Sequence, residues 1–204
     1  MPDVNFPLDL KNKICYHNFM NTSLLSSRVE TRRSRYEQKK KIATQYPIEL
    51  AALNFEHSEN VGMLIRSAAC FGVPVVNIIG TIPDHRTIVA TSGSTQDLVK
   101  INQFANPYEF LSYSRQNNIK LISAEFCEGS QSLWDYKFPT NNEQRCCIIT
   151  GHETIGVPVD ILVNSDVVFI KMPGSAYCLN TAVCASILLA EYVRQRENKC
   201  QQQL

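Results

Sequence analysis

Residues 181–192 constrain the fold of this chain more than any other segment. Ala182, Val183, Ala185, Ile187, Leu188, Leu189 and Ala190 cover nearly every side of one helix. A helix that is apolar all round has to be enclosed by protein. It follows an apolar run at 167–170, Val167, Val168, Phe169 and Ile170, which reads as a buried strand. The connection is Gly174-Ser175-Ala176-Tyr177-Cys178-Leu179-Asn180. A Gly/Ser/Asn loop between two buried elements must hold its polar groups against something specific. In open α/β sheets such loops line ligand sites at the carboxyl ends of strands.

Upstream the same alternation recurs. Strands are expected at 48–54, 73–79, 119–124 and 146–150, and helices at 60–71 and 106–116, with a helical turn at 158–163. The 60–71 helix repeats Val61, Leu64, Ile65, Ala68 and Ala69 on one face, with Ser58 as its cap. A polar loop is expected over 81–96. The rhythm predicts an α/β fold, a mostly parallel sheet with helices on both faces. No internal repeat interrupts it.

Residues 1–46 lack this periodicity and read as an N-terminal extension, with Tyr46-Pro47 as the boundary to a domain spanning 47–204. Within it, 28–41 reads as a basic helix carrying Arg28, Arg32, Arg33, Arg35, Lys39, Lys40 and Lys41 against Glu30 and Glu37. A solvated basic arm and a nucleic-acid contact both fit it. The whole chain, at net charge +1, has no basic bias, so any such signal is local.

No apolar run approaches the roughly 18 residues of a membrane span, and residues 1–10 lack a signal peptide's pattern. A cytoplasmic protein with no membrane contact is expected. Its eight cysteines have no C-x-x-C pair or zinc spacing. No metal is expected, and most of the cysteines, Cys70, Cys146, Cys147 and Cys184 among them, read as small buried hydrophobes.

Three constellations carry chemistry. Asn60-x-Gly62-x-x-x-Arg66 opens the amphipathic helix, with Arg66 off its apolar stripe. A solvated surface arginine and an arginine facing a ligand both fit, while the polar turn before it exposes helix N–H groups suited to an anion. Gly151-His152-Glu153-Thr154-Ile155-Gly156 follows a buried strand directly. The third runs from Ile170-Lys171-Met172-Pro173 through Asn180, whose side chain suits an N-cap.

In this order and at these separations the three resemble the SpoU (TrmH) branch of the SPOUT RNA methyltransferases, over 48–196. N-x-G-x-x-x-R-x-A is met by Asn60, Gly62, Arg66 and Ala68. G-x-E-x-x-G is met by Gly151, Glu153 and Gly156, and I-P-M-x-G-x-x-x-S-L-N by Ile170, Met172, Gly174, Leu179 and Asn180. Cys178 stands where the family has serine, Lys171 replaces a proline, and Ala182 replaces a common second serine.

The resemblance implies a C-terminal trefoil knot, a homodimer whose sites are completed by the partner subunit, and S-adenosylmethionine as cofactor. The cofactor would be held at Thr150, Gly151, Glu153 and Gly156, at Ile170, Met172 and Gly174, and at Cys178 and Leu179, with Gly80 bordering it. The implied reaction is methyl transfer to a ribose 2′-hydroxyl of RNA, tRNA ahead of rRNA. Arg66 is the implied charge stabiliser, since a guanidinium does not deprotonate. Asn180 would orient the ribose or Arg66, Glu153 would hold Arg66 or a loop, and Cys178 would contact the ribose. Asn60 completes the implied catalytic set, and the basic segment would grip RNA. The alternative is a knotted RNA-binding or dimerisation module without activity. A Rossmann-type nucleotide enzyme ranks behind both, because no G-x-G-x-x-G follows the first strand.

Overall fold

The structure, a computed structural model, describes residues 32–82, 84–139 and 144–201. The chain divides into two units, Met1–Thr44 and Gln45–Leu204. In the first, α1 (Arg32–Ile42) ends on Lys39, Lys40 and Lys41, all exposed. Lys40 pairs loosely with Glu37 at 3.8 Å. Arg28 lies outside the described residues.

The second unit is built on β1 (Ile48–Leu53), whose six residues are all buried. A run buried on both faces marks a central strand of a parallel sheet. Around it lie β2 (Val75–Ile79), β3 (Lys100–Phe104), β4 (Ile119–Ala124), β5 (Gln131–Ser132), β6 (Arg145–Thr150) and β7 (Asp166–Phe169), in the spatial order β3-β2-β1-β6-β4-β7-β5. Every pairing among these seven strands is parallel.

The helices are α2 (Ser58–Cys70), α3 (His85–Ser92), α4 (Pro107–Gln116), α5 (Val159–Leu162) and α6 (Thr181–Gln201). Strand side chains alternate strictly between two cores. Leu50, Ala52, Val76, Ile78, Ile122, Cys146 and Ile148 pack with α2 and α6. Ala51, Leu53, Ile79, Leu121, Cys147 and Ile149 pack with α4 and α5. Helices therefore cover both faces. Adjacent β1 and β6 send their next helices, α2 and α5, to opposite faces. Such divergence opens a crevice at the strands' carboxyl ends.

Several expectations are corrected. Residues 81–96 are not simply a loop, because α3 lies inside them. Asp84 caps it, accepting from Thr87 N at 2.9 Å and Thr87 Oγ1 at 2.8 Å, and Gly93 ends it in the left-handed region. A short polar helix with one buried isoleucine, Ile88, has too little apolar pattern to announce itself. Strands β3 and β5 also escaped: β3 is a half-polar edge strand and β5 only two residues. Cys70 is exposed rather than buried.

The α6 helix is not enclosed on all sides. Val183 is 44% exposed, Ala190 is exposed and Ile187 is half-buried, while Ala185, Leu188, Leu189 and Tyr192 are fully buried. The uncovered residues fall at i, i+4 and i+7, one stripe of the helix. The connection at 171–180, expected between buried elements, is exposed throughout.

Candidate active site

The three constellations meet at the β1/β6 crevice through one chain of side-chain hydrogen bonds. Asn180 caps α6, its Oδ1 accepting from Ala182 N at 3.0 Å and Val183 N at 3.2 Å. The cap fixes the amide's orientation, so Asn180 Nδ2 points away from the helix and donates to Asn60 Oδ1 at 2.8 Å. That in turn directs Asn60 Nδ2 to Glu153 Oε1 at 2.6 Å. Asn60 is only 4% exposed, so a missing partner on either side would leave a buried amide unpaired.

Glu153 is the terminus. Its carboxylate accepts from Glu56 N at 2.9 Å and His57 N at 3.4 Å as well as from Asn60. His57, not Ser58, is the N-cap of α2, and its side chain makes no cap bond. The Glu153 carboxylate, supplied from another loop, thus sits at the helix start where an anion was expected. Burial raises its pKa, but the hydrogen bonds from Glu56, Asn60 and His57 outweigh that and hold it below the usual carboxylate range. It is ionised at neutral pH. Its hydrogen bonds run to the backbone before α2 and to Asn60, and none of them reaches Arg66.

The Glu153 loop is a tight hairpin. His152 N donates to Gly156 O at 3.2 Å and Gly156 N to His152 O at 3.0 Å. A Cβ on Gly151 would lie 2.2 Å from the Gly156 carbonyl carbon, so the two arms cross too closely for any other residue. Thr181 Oγ1 donates to Gly151 O at 3.1 Å and ties this hairpin to α6. Glu125, just beyond β4, accepts from Val157 N at 3.0 Å through Oε2 and braces it from the other side. Sequence reasoning missed Thr181 and Glu125. Thr181 follows the capping asparagine directly, a usable signal, whereas Glu125 carries none.

The other expected residues lie as follows. Thr150 ends β6, and its buried Oγ1 has no hydrogen-bond partner among the described residues. Gly80 follows β2, next to β1, its amide donating to Phe104 O at 2.8 Å. Ile170 packs on the α2/α6 core. Met172, Gly174, Cys178 and Leu179 are exposed, and nothing lies within 4 Å of where a Cβ on Gly174 would sit.

Arg66 stands apart from the relay. It is exposed on α2 and makes no hydrogen bond or ion pair among the described residues. Its Nη1 lies 3.4 Å from where a Cβ on Gly93 would be, so the guanidinium rests beside the end of α3. Gly62 permits that closeness, since a Cβ there would fall 1.8 Å from Thr91 Oγ1. Asn180 donates to Asn60, and no hydrogen bond joins it to Arg66 among the described residues. For Arg32, Arg33 and Arg35 the structure gives backbone helix alone. Among the described residues no group of His, Cys, Asp and Glu could hold a metal ion.

These features define a class: parallel α/β proteins whose loops converge at a switch point of the sheet, where such folds bind ligands. The chain belongs to the SpoU rRNA methylase family, whose model matches residues 47–190. It is 24% identical over 142 residues to the tRNA (guanosine(18)-2′-O)-methyltransferase of Escherichia coli K12, covering 68% of this chain and 59% of that one. A TrmH/SpoU tRNA modifying enzyme from A. aeolicus superposes with a TM-score of 0.69 at 21% identity, covering 82% of this chain and 85% of the other. An AdoMet-bound rRNA methyltransferase from Sinorhizobium meliloti gives 0.67 at 20% identity, covering 74% and 57%. At these identities the structural likeness shows the fold. The chain spans 59% of the length of the E. coli relative.

Proposed function

We propose that this chain transfers a methyl group from S-adenosylmethionine to a ribose 2′-hydroxyl of RNA, with tRNA ahead of rRNA as substrate. The observation that carries the reading is the Asn180–Asn60–Glu153 relay, which joins all three family motifs at the β1/β6 crevice. The matched E. coli relative is named for 2′-O-methylation of a tRNA guanosine, and the S. meliloti structure for bound AdoMet.

The residues fit the cofactor. The unpartnered Thr150 Oγ1, the hairpin that closes on itself at Gly151 and Gly156, and the open space at Gly174 leave polar groups and room at one end of the sheet. Thr150, Gly151, Glu153, Gly156, Ile170, Met172, Gly174, Cys178 and Leu179 would hold it, with Gly80 at the border. When bound, it supplies a methyl group already activated by its sulfonium charge.

What remains for the protein is positioning and charge. Glu153, fixed as a carboxylate, anchors the start of α2 and so sets the register of Arg66 two turns along. Asn60 and Asn180 lock the motif-three loop to the same anchor. Arg66, exposed and without a partner among the described residues, is free to stabilise the alkoxide that forms as the 2′-hydroxyl loses its proton. Cys178 lies beside Asn180 and takes the place of a serine against the ribose.

In this reading a second copy of the chain completes each site. The stripe of exposed Val183 and Ala190 and half-buried Ile187 on α6, together with exposed Met63 on α2, supports a homodimer. The exposed 171–180 connection is the segment that a C-terminal trefoil knot would enclose. Residues 1–46 form an RNA-gripping extension, for which the exposed lysines ending α1 are the support. Free thiols at Cys146 and Cys147 suit a reducing cytoplasm.

The test is incubation of the protein with bulk tRNA and methyl-labelled S-adenosylmethionine, followed by nuclease mapping. Label on ribose, in dinucleotides resistant to alkali, is expected. Label confined to bases, or none from a protein that binds both ligands, contradicts the reading.

A further inference from the structure

The carboxyl ends of the three neighbouring strands β4, β7 and β5 each carry an aromatic residue that the relay does not use. Phe126 follows β4, Phe169 ends β7, and Trp134 follows β5. The pairing of Ala124 with Val168 and of Ser132 with Phe169 places them in one row across the sheet end. Leu133 N donates to Phe169 O at 2.8 Å, which fixes the turn that bears Trp134.

Phe126 is 78% exposed and Trp134 52% exposed. Folding gives no reason to display the chain's one tryptophan and a bare phenylalanine at the same end of the sheet. Yet the Phe126 ring is not loose. It stands edge-to-face on Phe169 with centroids 5.1 Å apart and planes at 66°, an arrangement that leaves one side of the ring open.

The row is continuous with the candidate site at two points. Glu125 accepts from Phe126 N at 3.1 Å through one oxygen and from Val157 N at 3.0 Å through the other, joining the base of the row to the Glu153 hairpin. Phe169 leads directly into the 170–180 connection, where Lys171 is exposed.

We propose that Phe126, held by Phe169, and Trp134 form a stacking shelf for unpaired RNA bases next to the nucleotide presented to the site. The inference rests on the methyltransferase reading and names the substrate's conformation: a loop or splayed strand rather than a duplex. Aromatic faces accept any base, because every base has a π-face, and stacking needs no sequence. Exposed Lys171 supplies a cation for the adjoining phosphate, while the acidic neighbours Glu125 and Glu128 disfavour a shelf that grips backbone instead of bases.

The test compares wild type with Phe126→Leu, Trp134→Leu and Phe126→Trp. The readouts are affinity for bulk tRNA and for a fluorescein-labelled unstructured oligouridine, calorimetric affinity for S-adenosylmethionine, thermal midpoint and sedimentation. Each leucine variant should weaken both RNA probes about 10-fold, with cofactor affinity, midpoint and sedimentation unchanged. Phe126→Trp should bind like wild type. Unchanged RNA affinity in both leucine variants overturns the shelf. Lost cofactor affinity at constant RNA affinity assigns the row to the cofactor, and altered sedimentation assigns it to a protein interface; either overturns it. A wild type that methylates tRNA while its leucine variants do so unimpaired sinks the shelf alone, whereas a wild type that binds neither ligand sinks the methyltransferase reading with it.

Discussion

Two polar clusters span this sheet, and they are built on opposite plans. Toward the amino ends of the strands, Glu49 is 1% exposed on β1. It pairs with Arg145 and accepts from Asn77 Nδ2 at 2.8 Å and Tyr113 OH at 3.2 Å. Asn77 is held in turn by Asn102 Nδ2 at 3.0 Å. Here the carboxylate has its own cation, and the cluster closes on itself under α4. At the carboxyl ends, Glu153 is answered by backbone N–H groups and amides, and Arg66 stays outside. In a closed ion pair each charge is already answered by the other. An anion satisfied by neutral donors leaves the nearby cation available for something else. The difference separates a closed cluster from the candidate site.

Four changes would break or sharpen that contrast. Arg145→Met leaves the Glu49 charge buried without its cation and should cost about 3–5 kcal/mol of stability, read by urea unfolding. If methylation survives in whatever fraction remains folded, the amino-end cluster is structural alone. Arg66→Ala should do the reverse: a loss of about 10²–10³-fold in methyl transfer, with cofactor affinity and melting midpoint nearly unchanged. An active Arg66→Ala protein removes the assigned role. Gly62→Ala drives a methyl into Thr91 and should cost about 1–3 kcal/mol by displacing α3 and the seat of Arg66, so stability and transfer should fall together.

The fourth change is acid. The pKa of Glu153 is lowered in the folded state, so its contribution is complete above the ordinary carboxylate range. That contribution disappears as pH falls through the depressed value. Protection of the Glu56 and His57 amides from exchange, measured against the intrinsic rate at each pH, should persist at neutral pH and be lost only in strong acid. Loss of protection already near pH 6 would mean that the carboxylate is not the anchor.

Much of this was legible in the residues. The strands that run into the motifs, β1, β6 and β7, are short apolar runs, and the 3.6 period of α2 stands out. The motif residues Asn60, Glu153 and Asn180 declared themselves by type and place, and Asn180's capping role followed from its position before an apolar helix. The bonds linking them did not, since Asn60 and Asn180 are 120 residues apart and nothing local encodes their meeting. Ser58 looked like the cap of α2 because a cap is sought next to the helix, whereas the N-cap is His57 and makes no side-chain cap bond, and the turn before it is held by Glu153, 93 positions beyond Asn60. The α3 helix, β3 and β5 were missed because an edge strand and a polar one-sided helix lack the apolar period that makes an element visible. The all-round apolar surface of α6 suggested enclosure, but one stripe of it is left uncovered.

Calorimetry with S-adenosylmethionine tests the central claim, that the relay builds a cofactor and ribose site at the β1/β6 crevice. The account predicts saturable binding by the folded wild type and clear weakening in Asn60→Leu, which cuts the relay at its middle, while Arg66→Ala binds like wild type. A folded protein that gives no binding heat, or an Asn60→Leu variant that binds undiminished, contradicts it.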